Sequence, residues 1–428
     1  MAMSENIGIS GIESFDYRNK SVLLRVDINS PIDAQTKKIV NENRIKKSIP
    51  TIRYLLEQGA KLSIIAHQGD TLDYQNLIPM NEHAGKLSAL LGTRVKYIDD
   101  VCGPAAQEEI RKLKPGEAIL LGNLRYLAEE ISTFEDAVKL TPKEMLSTYL
   151  VRQLAPLMDF YINDAFAAAH RNSPSMVAFQ ELLPTAAGIL LNQELTALIR
   201  VMESPVKPSV FVLGGAKISD AFSMMKQVLE NGTADKILTG GITGEVMLLA
   251  KGVDIGRQKK EFIKDRSLDV FIEPAKQYLR DYEGKIVIPA DLACEKNGER
   301  IEQDVIAAMP DEMYMDIGSK TIAAFQEILK TAGTIFVNGP MGVYEKEVFG
   351  KGTREIWNSI AASAGYSVIG GGDTVSAAAR FIDLSKIDYV CTAGGAMVRF
   401  LSGKKLPLID AMRRADKKYR KKEECRHD

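Results

Sequence analysis

Short, uniformly apolar, β-rich runs, each followed by a loop and a segment of helical period, recur along this chain and restrict it to one broad architecture. In the first half the runs are Ser21–Ile28, Leu62–Ala66, Val95–Ile98, Ala118–Leu121 and Phe160–Ile162. In the second half they are Val210–Leu213, Lys236–Leu238, Ile286–Ile288, Thr334–Val337, Ser367–Ile369 and Tyr389–Thr392. A run that is apolar throughout, rather than alternating, suits a strand covered on both faces. Intervening segments such as Ala221–Leu229 and Thr353–Ala362 fit right-handed crossover helices between parallel strands. The expected class is therefore α/β with parallel sheets. At 428 residues the chain is too long for one ordinary core, which favours two or three domains.

Thr185–Glu203 carries apolar residues at helical spacing and is bracketed by Pro184 and Pro205. It reads as a helix joining two lobes, the alternative being an ordinary crossover helix inside one large domain. The run Arg413–Lys422 is strongly basic. It reads as a solvated helix face or as a segment docking on acidic surface of the first lobe. Nucleic-acid binding is disfavoured because no aromatic-rich surface accompanies it.

Composition excludes several other classes. A formal net charge of -1 gives no global field toward nucleic acid or membrane. The four cysteines, Cys102, Cys294, Cys391 and Cys425, form no CxxC pair, and the four histidines show no HxxxH spacing, so neither a zinc site nor a redox dithiol is expected. No stretch reaches the length of a membrane span, and the N-terminus has no basic head with a long apolar run. A cytoplasmic protein, monomeric or a small homo-oligomer, is the expectation.

In open parallel sheets, ligands bind beyond the carboxyl ends of the strands. In the second half those positions are glycine-rich: Gly214-Gly215-Ala216-Lys217, Gly240-Gly241, Asn338-Gly339-Pro340-Met341-Gly342, Gly370-Gly371-Gly372-Asp373-Thr374 and Ala393-Gly394-Gly395-Ala396. Glycine lets backbone N–H groups approach an anion, and a helix start adds partial positive charge. One such loop is explained equally well by a tight turn; five in one lobe point to phosphate. Asp373 offers a hard oxygen ligand for Mg²⁺ held jointly with phosphates, and can also cap the following helix. Lys217 can reach phosphates as a point charge. No GxxxxGK[ST] motif, HRD or DFG is present, which excludes P-loop enzymes and protein kinases.

The first half places basic and polar residues at the equivalent positions: Arg25, Asp27, Asn29, Arg44, His67, Arg125, His170 and Arg171. Arginine's planar fork matches carboxylate and phosphate oxygens, so arginines converging from several strand ends would form an anion pocket.

These residues resemble a known family. VLLRVDINSP (22–31), ENRIKKSIPTI (42–52), NLRY (123–126), NDAFAAAHR (163–171), FVLGGAKISD (211–220), DIGSKT (316–321), FVNGPMGVYE (336–345), VIGGGDTVSAA (368–378) and GGAMVRFLSGKKLP (394–407) resemble phosphoglycerate kinases over nearly the whole chain, closest to the archaeal branch. The resemblance implies two Rossmann-like three-layer domains of parallel sheet in a bilobal hinge kinase. Residues 1–184 would bind 3-phosphoglycerate and 205–398 Mg-ATP or Mg-ADP; 185–204 would join them and 399–428 would pack back on the first domain. It implies that Asp27, Asn29, Arg44, His67, Gly69, Arg125, His170 and Arg171 hold the acid. Gly214, Gly215, Ala216, Lys217, Asn338, Pro340, Glu345, Gly371, Gly372, Asp373 and Thr374 would hold the nucleotide, with Glu345 on the ribose and Asp373 on Mg²⁺. Arg44, Lys217 and the helix starts at Gly371 and Gly394 would stabilise the transferring group. Because the acceptor is a carboxylate, already ionised at neutral pH, no general base is required.

The chain departs from the family at three places. Asp70 in Ala66-His67-Gln68-Gly69-Asp70-Thr71 stands where the family has an arginine contacting the acid, which raises the alternative of a kinase for a different phospho-carboxylate. Ala221 replaces a lysine after Asp220. Ala393 replaces a glycine, a change that matters if the position needs positive φ.

Overall fold

A computed structural model describes residues 8–69, 77–306 and 311–427, with side chains of the last helix described as far as Tyr419. The chain divides into two compact units: residues 1–196 together with 405–428, and residues 197–404.

The first unit is built on β1 (Ser21–Arg25), β2 (Lys61–Ile65), β3 (Val95–Tyr97), β4 (Ala118–Leu120), β5 (Phe160–Asn163) and β6 (Thr185–Ala187). They form one sheet in the order β3-β4-β2-β1-β5-β6 with every pairing parallel. Successive residues Leu23 and Leu24 of β1 are both fully buried, although they point to opposite faces. That double burial is why the run is apolar without alternation. Helix Asn43–Glu57 covers one face with Ile45, Ile49, Ile52 and Leu55, spaced to share one side. The strand in Ser21–Ile28 stops at Arg25, and residues 26–28 continue as loop, which sets Arg25, Asp27 and Asn29 at the carboxyl end of the central strand.

Helix Pro407–His427 belongs to this unit. Its Leu408, Ile409, Ala411, Met412 and Ala415 are buried, and Leu408 N–H donates to the Ala169 carbonyl at 3.2 Å. Arg414 and Lys418, from the basic run, meet the side chain and the carbonyl of Glu181 at 3.2 and 2.6 Å.

The expected helix over 185–203 is corrected in its first turn. Thr185–Ala187 is strand β6, paired with β5, and the helix runs Ile189–Glu203. The physical reason is Asp164. Its Oδ1 accepts the Leu191 N–H at 2.9 Å, fixing the helix start there, and a Cβ on Gly188 would lie 2.3 Å from that same oxygen. The strand therefore ends in a tight glycine corner. The unit boundary falls inside this helix, between 196 and 197, and the second boundary falls at 404 rather than 398, because helix Gly394–Leu401 is part of the second unit.

Burial pushes the Asp164 carboxyl up from 3.8 to about 7, with Glu194 adding to the shift. Between those two values the folded protein holds a proton that the unfolded chain releases. Asp164 therefore costs stability as pH rises from about 4 to about 7. Asp164→Asn is expected to gain melting temperature relative to the parent at about pH 8 and not at about pH 5. Thermal melts at both pH values check this; an equal offset at the two would contradict it.

The second unit holds β7 (Ser209–Leu213), β8 (Lys236–Thr239), β9 (Ile286–Val287), β10 (Asp291–Lys296), β11 (Glu299–Asp304), β12 (Asp316–Ile317), β13 (Thr334–Asn338), β14 (Tyr366–Ile369) and β15 (Tyr389–Val390). The main sheet has the order β15-β14-β13-β7-β8-β9 and is parallel throughout. Val210, Val212, Ile335, Val337 and Ile369 bury one face beneath Trp357, Phe325 and Ile356. A second sheet, β11-β10-β12, is antiparallel and was not anticipated from the sequence. Its hairpin turns at Asn297-Gly298, both at positive φ of 56° and 81°, in a two-residue loop between Lys296 and Glu299.

Candidate functional site

The glycine loops of the second unit meet at the carboxyl end of its main sheet. They line a groove of about 240 Å³ that includes Gly214, Gly215, Ala216, Lys217, Asp220, Asn338, Gly339, Pro340, Gly371, Gly372, Asp373, Thr374, Gly394, Gly395 and Val398. Three helices begin at it: Ile218–Glu230 after Lys217, Gly372–Phe381 after Gly371, and Gly394–Leu401 after Ala393. The first-turn N–H groups of Gly372–Phe381 and Gly394–Leu401, and the positive ends of all three helix dipoles, therefore face one cavity.

The glycines are there for identifiable reasons. The β7 and β13 loops touch: a Cβ on Gly339, whose φ is +93°, would sit 2.3 Å from the Gly214 carbonyl oxygen, and one on Gly214 would sit 2.2 Å from that of Pro340. Gly215 N–H donates to the Pro340 carbonyl at 2.7 Å, locking the two loops together. Gly371, at φ +96°, adopts a conformation that side chains resist, and its turn is held by Asn338 Nδ2 donating to the Gly370 carbonyl at 3.0 Å. The Thr374 hydroxyl accepts Gly339 N–H at 2.8 Å. Gly372 and Gly395, by contrast, have no protein atom within 4 Å of where a Cβ would stand, so the space beside both backbones is open.

Lys217 Nζ and Asp373 Oδ2 are 3.3 Å apart, and their side chains are 68% and 70% exposed. Such a solvent-screened pair is weak, so either partner is readily given to a ligand. Among the described residues no group of three or more His, Cys, Asp or Glu could hold a metal. One exposed carboxylate at the mouth of this glycine-lined groove fits Mg²⁺ that arrives with phosphate oxygens as its other ligands. Ala393 has φ −107°, so the replacement of glycine there carries no backbone strain. Ala221 is fully buried, so this position offers no place for a phosphate-facing lysine.

A second cavity of about 320 Å³ shares Gly215, Ala216, Pro340 and Asp373 with the first, which makes one continuous groove. Exposed Glu345 lines it, with Ile242, Phe262, Met313, Met315, Val343 and Tyr344 as an apolar wall. Sequence reasoning found Glu345 but not this wall, whose residues come from separate helices and loops.

In the first unit the cationic residues also converge. Arg44, from the first turn of helix Asn43–Glu57, bonds Asp27 Oδ2 at 2.8 Å. The other Asp27 oxygen accepts Asn29 N–H at 3.2 Å, so Asp27 acts as a holder for Arg44 and for the loop. Asn29 Oδ1 in turn accepts the N–H of Gly69, whose φ is +91°. Gln68 and Asn123 exchange hydrogen bonds of 2.9 and 3.1 Å and fix the loop after β2 against the loop after β4. Arg125 donates to the Glu130 carbonyl, and Arg171 Nε bonds Glu135 at 2.7 Å. His170 lies half-buried immediately before Arg171, in the loop that follows β5. Asp70 and Thr71 fall outside the described residues.

Arg25, which the resemblance did not single out, is the buried centre of this cluster. Its guanidinium donates to His67 Nδ1 at 2.8 Å. Burial, followed by the charges of Arg25, Arg125, Arg44 and Arg171, holds His67 well below the usual histidine range. The ring is therefore neutral at pH 7. Since arginine only donates, Nδ1 is the acceptor and the proton resides on Nε2. Four guanidinium groups acting on one imidazole describe a region of concentrated positive potential, which is what an anionic ligand requires.

Two parallel α/β units, one with a guanidinium cluster and one with a glycine groove at three helix starts, define a two-unit kinase rather than a dehydrogenase or a P-loop protein. The sequence model described as phosphoglycerate kinase matches residues 12–404. A phosphoglycerate kinase from Methanothermus fervidus is 41% identical over 407 residues, covering 95% of this chain and 97% of the relative. The crystal structure of phosphoglycerate kinase from Pyrococcus horikoshii superposes with a TM-score of 0.83 at 40% identity, covering 96% of this chain and 100% of that one. The phosphoglycerate kinase structure from Coxiella burnetii gives 0.80 at 31% identity over 94% and 98%. The chain belongs to the phosphoglycerate kinase family.

Proposed function

We propose that this kinase transfers the γ-phosphoryl group of ATP, reversibly, to the carboxylate of 3-phosphoglycerate, giving ADP and 1,3-bisphosphoglycerate. The step lies in glycolysis and, run the other way, in gluconeogenesis. The observation that carries the reading is the pair of cradles: four guanidinium groups around neutral His67 in one unit, and three helix starts lined with glycine in the other.

Arg25, Arg44, Arg125 and Arg171 neutralise the acid's phosphate and carboxylate, and His67 Nε2–H donates one hydrogen bond. Asn29 and Gly69 shape the rim, with His170 beside Arg171. In the other unit Gly214, Gly215 and Ala216 and the starts at Gly371, Gly372 and Gly394 present N–H groups to phosphate oxygens. Asn338, Pro340 and Thr374 hold those loops in place, and Glu345 accepts from the ribose hydroxyls. Asp373 would hold Mg²⁺, which when bound neutralises phosphate charge. Lys217, released from Asp373, follows the transferring group. The acceptor is ionised at pH 7, so the residues supply position and charge, and no proton is removed. The described cysteines Cys102, Cys294 and Cys391 are buried and unbridged, which suits a reducing cytoplasm. Among the described residues no helix is long and apolar enough to cross a membrane.

Hydroxylamine traps acyl phosphates as hydroxamates. With Mg-ATP and 3-phosphoglycerate the protein is expected to form hydroxamate in step with ADP. ADP release without hydroxamate would mean hydrolysis or another acceptor, and would refute the assignment.

A further inference from the structure

One ion pair of the second unit is buried behind the groove rather than in it. Arg300 on β11 and Asp316 on β12 flank β10, and Arg300 Nη1 stands 2.9 Å from Asp316 Oδ2, with the side chains 15% and 0% exposed. Burial pushes the Asp316 carboxyl up from 3.8 to about 6 even with Arg300 beside it, so at pH 7 its ionised form costs stability instead of adding it. Such a pair is weak evidence for stability and is better explained by the geometry it fixes.

Both ends of the segment that carries Glu345 converge on this pair. At its start, Val343 N–H donates to the Met315 carbonyl at 2.9 Å, next to Asp316. A Cβ on Gly342 would overlap Asp316 Oδ1, so only glycine lets the chain pass this close. At its end, Asp316 Oδ2 accepts Gly352 N–H at 2.8 Å, in the first turn of helix Lys351–Ala362, where the dipole favours an anion. Arg300 Nη1 donates to the Val348 carbonyl at 2.9 Å, and Nη2 to that of Ile317 at 2.6 Å. The ion pairs that Arg354 and Arg380 make with Glu347 of the same segment are exposed and therefore weak.

We infer that Asp316 and Arg300 are positioning residues that hold segment 342–352 and thereby aim the Glu345 carboxylate at the ribose hydroxyls of the nucleotide. This rests on the reading that Glu345 meets the ribose. Both residues act through the backbone they hold. The helix starts that receive phosphate, at Lys217, Gly371 and Ala393, belong to other loops. Releasing the segment therefore costs the ribose contact and leaves the phosphate contacts in place.

The test compares kcat/KM for ATP with that for 2′,3′-dideoxyATP, which lacks both ribose hydroxyls, using 3-phosphoglycerate as acceptor. The parent protein is expected to prefer ATP by at least about tenfold, because the analogue cannot make hydrogen bonds to a charged acceptor. In the double variant Arg300→Met with Asp316→Asn, which strands no buried charge, the preference falls to about twofold or less, through KM for ATP and with KM for the analogue unchanged. Gly342→Ala displaces the same segment from Asp316 while keeping the pair, and is expected to lower the preference likewise, which keeps the test intact where the double variant does not fold. A role confined to stability would lower the melting temperature and leave the ratio at its parent value. A preference that survives in either variant overturns this inference alone. A parent ratio near one overturns the ribose contact of Glu345 and this inference with it. Absence of turnover with either nucleotide refutes the proposed function itself, and both readings that rest on it.

Discussion

Arg44→Ala is expected to lower kcat by about 10²–10³-fold, the usual loss when one preorganised donor to developing charge is removed, while leaving Mg-ADP affinity unchanged. Arg44 is 38% exposed and sits in the first turn of its helix, where the dipole disfavours a cation. It contributes little to folding there, and Asp27, at 6% exposure, is what holds it. The position is therefore explained by a ligand's charge rather than by packing. Arg44→Lys should recover part of the rate, since it restores charge without the planar fork. Steady-state rates with calorimetric titration of Mg-ADP check both halves. Loss of nucleotide affinity in Arg44→Ala would contradict its assignment to the acid-binding unit.

Lys217→Ala should show a comparable fall in kcat, with a smaller change in nucleotide affinity and no change in melting temperature. Its ion pair with Asp373 is solvent-screened, so stability does not depend on it. If Lys217 follows the transferring phosphoryl group, its charge matters most in the transition state, and kcat and kcat/KM fall together. A rise in KM for ATP at unchanged kcat would instead make it a ground-state phosphate contact.

The parallel sheets were legible because their strands are buried on both faces, which writes an unbroken apolar run into the sequence, as in Val22-Leu23-Leu24 or Val210-Phe211-Val212-Leu213. The hairpin β10–β11 was not, because Glu299–Asp304 is half-exposed and reads as a charged loop. Its signal was the Asn297-Gly298 dipeptide, a two-residue turn whose weight lies in local backbone geometry. Strand β6 was absorbed into the following helix because Thr185-Ala186-Ala187 has no strong propensity of its own; only Asp164, distant in sequence, fixes where the helix begins.

The site follows the same division. Glycine clusters at strand ends pointed to the loops that line the groove, and the strand-end arginines pointed to the cationic cluster. The role of Arg25 as the buried donor to His67 was hidden, since nothing local distinguishes it from the end of an ordinary strand.

Phosphoryl transfer to 3-phosphoglycerate is read out by a coupled steady-state assay of the purified protein with Mg-ATP and 3-phosphoglycerate, in which a dehydrogenase reduces the acyl phosphate as it forms. Sustained turnover that requires both substrates and saturates in each is the expected result. Binding of Mg-ATP with no turnover on 3-phosphoglycerate would contradict it, and would show that the guanidinium cluster around His67 serves a different acid.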